Sequence, residues 1–128
     1  MKLLLDTHAF LWWILDDVRL SLTARKAIAR REEEVFVSAA SAWEIAVKAA
    51  LGRLKLPQPP GRLVPRHIKA SGFQPLPIRV EHALRVHDLP DHHRDPFDRL
   101  LIAQAVEDRL AIVTADGQFG RYPVRVIW

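Results

Sequence analysis

DPFDRLLIAQA, residues 95–105, is the stretch around which the rest of the chain is organised. It predicts a helix, because Asp95 is a suitable N-cap and Pro96 suits the first helical position, where a missing N–H costs nothing. The residues that follow are apolar on the helix face that also carries Asp98. The stretch therefore predicts a buried helix with a carboxylate near its start. Taken alone, Asp98 is explained as a residue that stabilises the first turn and the helix dipole.

Strand-like and helix-like segments alternate on both sides of this helix. Helices are predicted between short apolar strands, and residues 54–77, which hold six of the nine prolines, are predicted to be a connector with one short helix. The predicted strands are Leu3–Leu5, Glu34–Ser38, Leu110–Thr114 and Val124–Trp128, with a short extended segment at Leu76–Ile78. The predicted helices cover residues 7–15, 21–31, 41–51, 63–71 and 80–87 besides the one that begins near Asp95. This alternation predicts an α/β three-layer sandwich around a largely parallel sheet.

Length and composition limit the class of protein. The 128 residues, 49% of them hydrophobic, are expected to form one soluble domain spanning 1–128. The chain has no cysteine, which excludes disulfides and thiolate metal sites and fits a cytoplasmic protein. No apolar run is long enough to span a membrane. A net charge of +4, with more arginine than lysine, suits contact with a phosphate backbone or an acidic protein.

Four acidic residues lie at equivalent places in this pattern. Asp6 follows the first strand and Asp116 follows a later one, while Glu44 and Asp98 are each expected in the first turn of a helix. Glu44 is expected there because Ser41 and Glu44 have the spacing of a capping box. Ligands of parallel sheets bind at the carboxyl ends of the strands, where the following helices begin. We therefore expect all four acids in one cleft, although each alone has an explanation as a cap or turn residue.

An acidic cleft needs a cation, because like charges brought together do not all stay ionised without compensation. A purely oxygen donor set favours Mg²⁺ or Mn²⁺. Such a site suits phosphodiester hydrolysis, in which metal ions activate water and stabilise charge on the phosphate oxygens. Asp6, Glu44, Asp98 and Asp116 are accordingly the candidate catalytic and metal-binding residues.

Other polar and aromatic residues near these acids have weaker explanations. Three residues with hydroxyl groups lie beside the acids in sequence, namely Thr7, Ser38 and Thr114. Each is a candidate to position a ligand or water, although hydroxyl residues at strand ends frequently form turns. The histidines have no His-Glu-x-x-His spacing, so we interpret them as solvated or hydrogen-bonded rather than as ligands. The tryptophans at 12, 13 and 43 are interpreted as core or interface residues.

The chain resembles the PIN-domain family, and within it the VapC-like ribonuclease toxins of type II toxin–antitoxin systems. The resemblance runs nearly end to end and rests on LLLDTH at 3–8, SAASAWEI at 38–45, HRDPFDRLLIAQA at 93–105 and TAD at 114–116. It implies a metal-dependent endoribonuclease that is neutralised by a cognate antitoxin and usually forms a homodimer. It also implies that three family acids correspond to Asp6, Glu44 and Asp98, and a more variable fourth to Asp116. On this resemblance Asp6 and Asp98 bind metal directly, and the other two act through water.

Other functions remain open on the residues alone. A phosphatase of the haloacid dehalogenase type also begins with a strand and an aspartate, but it needs a second aspartate where this chain has His8. A PIN-type nuclease in RNA processing and a nucleic-acid-binding domain without turnover are further alternatives. The antitoxin prediction also uses apolar stretches near Trp12, Trp13 and residues 51–56, which are expected to be exposed.

Overall fold

The computed structural model of the protein describes residues 1–30 and 32–128. Its five strands form one sheet in the order β3-β2-β1-β4-β5, and every neighbouring pair is parallel. The strands are β1 (Lys2–Leu5), β2 (Glu34–Ser38), β3 (Gln74–Leu76), β4 (Ala111–Val113) and β5 (Val126–Ile127). The helices are α1 (Thr7–Ile14), α2 (Leu22–Ala29), α3 (Ala39–Ala50), α4 (Pro60–Ala70), α5 (Val80–Arg85) and α6 (Pro96–Asp108). Two 3₁₀ turns cover Val86–Asp88 and Gly117–Arg121. The predicted α/β sandwich with a parallel sheet is confirmed.

The sheet is covered on both faces because neighbouring side chains of a strand point in opposite directions. In β1, Leu3 and Leu5 pack in one apolar cluster with Phe10 of α1. Leu4 packs in the other cluster with Leu101 of α6. All three leucines are fully buried, which explains why the first strand is a continuous apolar run.

The start of α3 differs from the prediction. The prediction of a capping box at Ser41 and Glu44 is wrong. Ser38 is the N-cap, and its hydroxyl accepts a hydrogen bond from the Ala40 N–H at 2.9 Å. Because the last residue of β2 already satisfies this amide, the helix begins without an intervening loop. Ser41 is therefore a fully buried residue inside the helix, and Glu44 lies in its second turn rather than its first.

Smaller differences concern element boundaries. The connector helix begins at Pro60 instead of Leu63, because a proline suits the first turn of a helix. The extended segment expected at Leu76–Ile78 is β3, two residues earlier, where it pairs with β2. The predicted second helix ends at Ala29, and Arg31 lies outside the described residues. Among the described residues no helix has both the length and the apolar character needed to cross a membrane.

Candidate active site

The four predicted acids line one cleft of about 110 Å³ at the carboxyl edge of the sheet. Asp6 directly follows β1, and Asp116 lies three residues after the end of β4. Glu44 reaches the cleft from α3, which begins directly after β2, and Asp98 reaches it from the first turn of α6. The convergence follows from the topology, because parallel strands and the helices after them meet at this edge. The other lining residues are Thr7, His8, Lys48, Asp95 and Phe119.

Asp6 is held at two points. One carboxylate oxygen accepts from the Ala9 N–H at 2.7 Å, so Asp6 is the N-cap of α1, and the other accepts from the Thr114 hydroxyl at 2.6 Å. Burial raises the pKa of Asp6, and the hydrogen bonds from Thr114 and Ala9 oppose that rise. The Thr114 oxygen also accepts from the Asp116 N–H at 3.0 Å. Thr114 thus fixes the acid after β1 and the backbone of the acid after β4.

Glu44 is also held at both oxygens. Thr7 donates its hydroxyl to one oxygen at 2.7 Å, and the Lys48 ammonium pairs with the other from one turn further along α3. The pKa of Lys48 is raised, mainly because its ammonium group is hydrogen-bonded to Glu44. The buried carboxylate therefore has its own cation, supplied by the same helix.

Asp98 differs from the other acids because the protein leaves it poorly compensated. The helix cap is made by Asp95, whose carboxylate accepts from the N–H groups of Phe97 at 2.8 Å and Asp98 at 3.0 Å. The pKa of Asp98 is raised to about 7, mainly by burial and then by the negative charge of Asp95, while His93 opposes the rise. The cap is thus Asp95, as predicted, and Asp98 is an acid of the first turn whose carboxylate lies 3.2 Å from Nε2 of His93.

Asp116 lies beside Asp98 and shares a histidine with it. The Nε2 atom of His93 is 2.9 Å from Oδ2 of Asp116 and 3.2 Å from Oδ2 of Asp98. Across residues 1–30 and 32–128, these three side chains form the one group whose potential ligand atoms all lie within 4.8 Å of one another. Asp6 and Glu44 line the same cleft but fall outside this group. The second oxygen of Asp116 accepts from the Gln118 N–H at 2.9 Å and caps the 3₁₀ turn.

The donor set fits a hard divalent cation. The cleft offers carboxylate oxygens from four residues, which is the ligand type that Mg²⁺ and Mn²⁺ prefer. Burial is the main cause of the raised pKa values of Asp6 and Asp98, and the negative charges of neighbouring carboxylates add to both, so the ionised forms of these two acids are disfavoured in the metal-free cleft. A bound cation would supply the remaining compensation.

The sequence interpretation gave no role to two residues that contact acids of the cleft, Lys48 and His93. Lys48 lies four residues after Glu44, and this spacing is itself a signal for a helical ion pair. His93 had no comparable signal, because it reaches Asp116 only through the path of the loop at 91–94. Of the three predicted hydroxyls, Thr7 and Thr114 bond to cleft acids, whereas Ser38 donates to the buried Gln104.

Two of the three tryptophans agree with their interpretation as core or interface residues. Trp12 and Trp13 are half-buried and pack against the apolar cluster around Phe10, so the expectation that this stretch is exposed is wrong. Trp43 is instead 56% exposed, and its ring lies edge-on against Phe97 at 4.8 Å between ring centres. The exposed aromatic surface is therefore on α3, beside the start of α6.

Comparisons with known proteins agree with this architecture. The family model described as "PIN domain" matches residues 3–124. The curated protein Ribonuclease VapC22 of Mycobacterium tuberculosis is 33% identical over 116 residues, which cover 88% of this chain and 85% of that protein. The structure of VapBC2 from Rickettsia felis bound to a promoter DNA fragment is similar with a TM-score of 0.73 at 13% identity, over 98% of this chain and 97% of that one. A DNA-bound VapBC structure from Salmonella typhimurium is similar with a TM-score of 0.69 at 17% identity, over 98% of this chain and 96% of that one.

Proposed function

The chain belongs to the PIN-domain family, and from that premise we propose that it is a metal-dependent endoribonuclease, the toxin of a type II toxin–antitoxin pair. The observation that carries the proposal is the convergence of four acids at the carboxyl edge of the sheet. The similarity to Ribonuclease VapC22 favours RNA as the substrate. No cysteine is present, and the hydroxyls of Thr7 and Thr114 donate to carboxylates of the cleft, which favours attack by water over a covalent nucleophile.

Asp6, Glu44, Asp98 and Asp116 are the residues that we propose to hold Mg²⁺ or Mn²⁺. When bound, such an ion would lower the pKa of a water and stabilise charge on the phosphate oxygens. Asp98 and Asp116 lie close enough to serve one ion together, which gives Asp116 a more direct role than the resemblance implies. The protein's own contribution is positioning, since Thr114 orients Asp6 and Thr7 orients Glu44.

Cleavage of RNA by the purified chain tests the enzyme proposal. A mixture of cellular RNA should be cut in Mg²⁺ or Mn²⁺ and left intact when EDTA removes the metal. A DNA strand of matched length serves as the control substrate. An RNA-processing nuclease would cleave without arresting growth when expressed in a bacterial host, and a binding domain would retain RNA without cutting it. Either result would overturn the toxin assignment.

A protein partner is proposed from the surface as well as from the family. An apolar groove of about 800 Å³ lies between α3, α4 and β3, and its lining includes Ala42, Val64 and Phe73. Trp43 on α3 and Leu51 at the C-cap of that helix add exposed apolar surface. A cognate antitoxin and a second copy of the chain in a homodimer are the two proposed occupants of such surface. Cytoplasmic location is part of the same proposal.

Co-expression tests the partner. The product of a small neighbouring open reading frame should copurify with this chain and suppress both growth arrest and RNA cleavage. Light scattering on the chain alone should give the mass of a dimer. Cleavage that is unaffected by the neighbour's product would contradict the antitoxin assignment.

A further inference from the structure

We propose that His93 is a positioning residue of the cleft, which draws Asp98 and Asp116 together through its Nε2–H group and does not itself bind the metal. The inference rests on the proposed function, because the two acids matter here as metal-holding groups. It assigns a role to a loop histidine that sequence spacing gave no reason to select.

The ring of His93 is fixed in place from several sides. Its side chain is 15% exposed, and its plane lies edge-on to the ring of Phe119 at 5.6 Å between centres and 84° between planes. Phe119 is itself buried in the apolar cluster beneath the 3₁₀ turn. The histidine therefore bridges the start of α6 and the turn that begins after Asp116.

Hydrogen bonding identifies which nitrogen of the neutral ring carries the proton. The Nδ1 atom accepts from the backbone N–H of Asp95 at 3.2 Å, so this nitrogen must present a lone pair. The proton is then on Nε2, which faces Oδ2 of Asp116 at 2.9 Å and Oδ2 of Asp98 at 3.2 Å. Both neighbours of Nε2 are carboxylate oxygens that can accept a hydrogen bond, so the contacts of Nδ1 and of Nε2 indicate the same tautomer.

This tautomer argues against a direct bond from His93 to a metal. A histidine ligand usually donates its remaining ring N–H to a carboxylate or a carbonyl oxygen. In His93 the remaining nitrogen accepts an N–H instead, so coordination through Nε2 would require the ring to give up its bond with Asp95. The Nε2–H group thus acts on the acids, offsetting the repulsion that would separate them.

Glu44 and Asp6 have other partners for their carboxylates. Glu44 has Lys48 as its cation, and Asp6 has the hydroxyl of Thr114 and the N–H of Ala9. Within residues 1–30 and 32–128, Asp98 has neither a lysine partner nor a hydroxyl donor, and the carboxylate of Asp95 adds a further negative charge beside it. His93 therefore supplies a donor to the acid that Lys48 and the threonine hydroxyls do not reach.

Three variants separate this role from the alternatives. His93→Phe keeps a ring against Phe119 but has no N–H donor, whereas His93→Gln keeps a donor near the position of Nε2. His92→Phe is the matched control, because the ring of His92 packs edge-on against Tyr122, whereas the ring of His93 contacts Asp98 and Asp116. Mn²⁺ alone is titrated into each metal-free protein, and free Mn²⁺ is followed by electron paramagnetic resonance.

Nitrogen-15 NMR of the unmodified, metal-free protein at alkaline pH reports the ring tautomer.

We expect His93→Phe to weaken Mn²⁺ binding roughly tenfold, the lower end of the effect of losing an outer-shell partner. His93→Gln should retain most of the affinity, His92→Phe all of it, and NMR should show the proton on Nε2. Unchanged or tighter binding in His93→Phe would overturn the proposal, as would a proton on Nδ1. Loss in both His93 variants would assign the ring nitrogen to the metal instead. If the unmodified chain binds no Mn²⁺, the proposed function fails, while the NMR result still tests His93 on its own.

Discussion

Asp95 and Asp98 share one helical turn, but their carboxylates have different partners. Asp95 accepts from two backbone N–H groups of the first turn, so its role is structural. The carboxylate of Asp98 faces His93 and Asp116 in the cleft. The sequence predicts a cap and a first-turn acid here, and the structure confirms Asp95 as the cap. The metal-binding role of Asp98 stays a prediction.

Asparagine substitutions at these two positions should therefore have different effects. Asp95→Asn should retain metal binding and RNA cleavage, because asparagine caps a helix about as well as aspartate. Asp98→Asn keeps the size of the side chain but removes a charge proposed to hold the cation, so Mn²⁺ affinity and cleavage should both collapse. Titration with Mn²⁺ and a cleavage assay on both purified variants make the comparison. Equal loss in the two variants would show that the turn acts as one structural unit and would leave the ligand assignment unsupported.

The raised pKa of Asp98 predicts how the stability of the metal-free protein depends on pH. The pKa of Asp98 in the folded protein, about 7, lies above the ordinary value of 3.8 for an aspartate, so the unfolded chain releases this proton at lower pH than the folded chain does. The free energy of unfolding should consequently fall as the pH rises between about 4 and 7, because the folded state binds more protons in that window. Asp98→Asn removes this contribution and should be the more stable protein at neutral pH.

Urea unfolding in EDTA at several pH values measures this effect. The informative quantity is the difference between Asp98→Asn and the unmodified chain, since the pKa of Asp6 is also raised and contributes in the same direction in both proteins. The difference should grow from pH 4 toward pH 7. A difference that is constant across this range would mean that Asp98 titrates normally in the folded protein.

At the scale of elements, a buried hydrogen-bond chain connects the two helices that carry Glu44 and Asp98. Gln104 of α6 is fully buried, accepts from the Ser38 hydroxyl at the start of α3, and donates to the Pro77 carbonyl at 3.2 Å. The amide thus joins α6 to the β2–α3 junction and to the segment after β3.

Replacing Gln104 by methionine should destabilise the protein while preserving side-chain volume. The change leaves the Pro77 carbonyl without its bond and the Ser38 hydroxyl without its acceptor, which costs roughly 2–3 kcal/mol of unfolding free energy. Gln74→Met is the control, because Gln74 is exposed and makes one long contact with Glu34 at 3.5 Å. Urea unfolding of the three proteins compares them. A loss in Gln104→Met no larger than in the control would show that the buried amide has no stabilising role.

Elements were predictable where local signals and tertiary packing agree. Short apolar runs predicted β1 to within one residue and β2 at its observed bounds, and the cap at Asp95 predicted the start of α6. The start of α3 was mispredicted because two serines three residues apart both look like caps, and only the sheet shows that Ser38 is the one at the strand end. His93 has no periodic signal at all, because its position depends on the path of an irregular loop.

At the scale of the whole molecule, charge is unevenly distributed. The chain has a net charge of +4, yet the one cleft that collects its candidate catalytic residues is acidic. Convergence of the acids was predictable because it follows from parallel topology. The sequence did not predict which of the acids are neighbours. In the structure Asp116, which caps the 3₁₀ turn, is grouped with Asp98 and not with Asp6. That residues 1–128 form a single domain stays a prediction.

This charge distribution predicts that a divalent cation stabilises the folded chain as a whole. A ligand that binds only the folded state adds about 2.7 kcal/mol at one hundred times its dissociation constant, which for a chain of this size is roughly a 10 °C rise in thermal midpoint. Thermal unfolding in Mg²⁺ or Mn²⁺, against NaCl of equal ionic strength, measures the rise. Asp98→Asn should lose most of it, whereas Asp91→Asn, which removes an exposed charge outside the cleft lining, should keep it. If both variants show the same rise, the cation acts through general screening of charge, and the cleft is not where it binds.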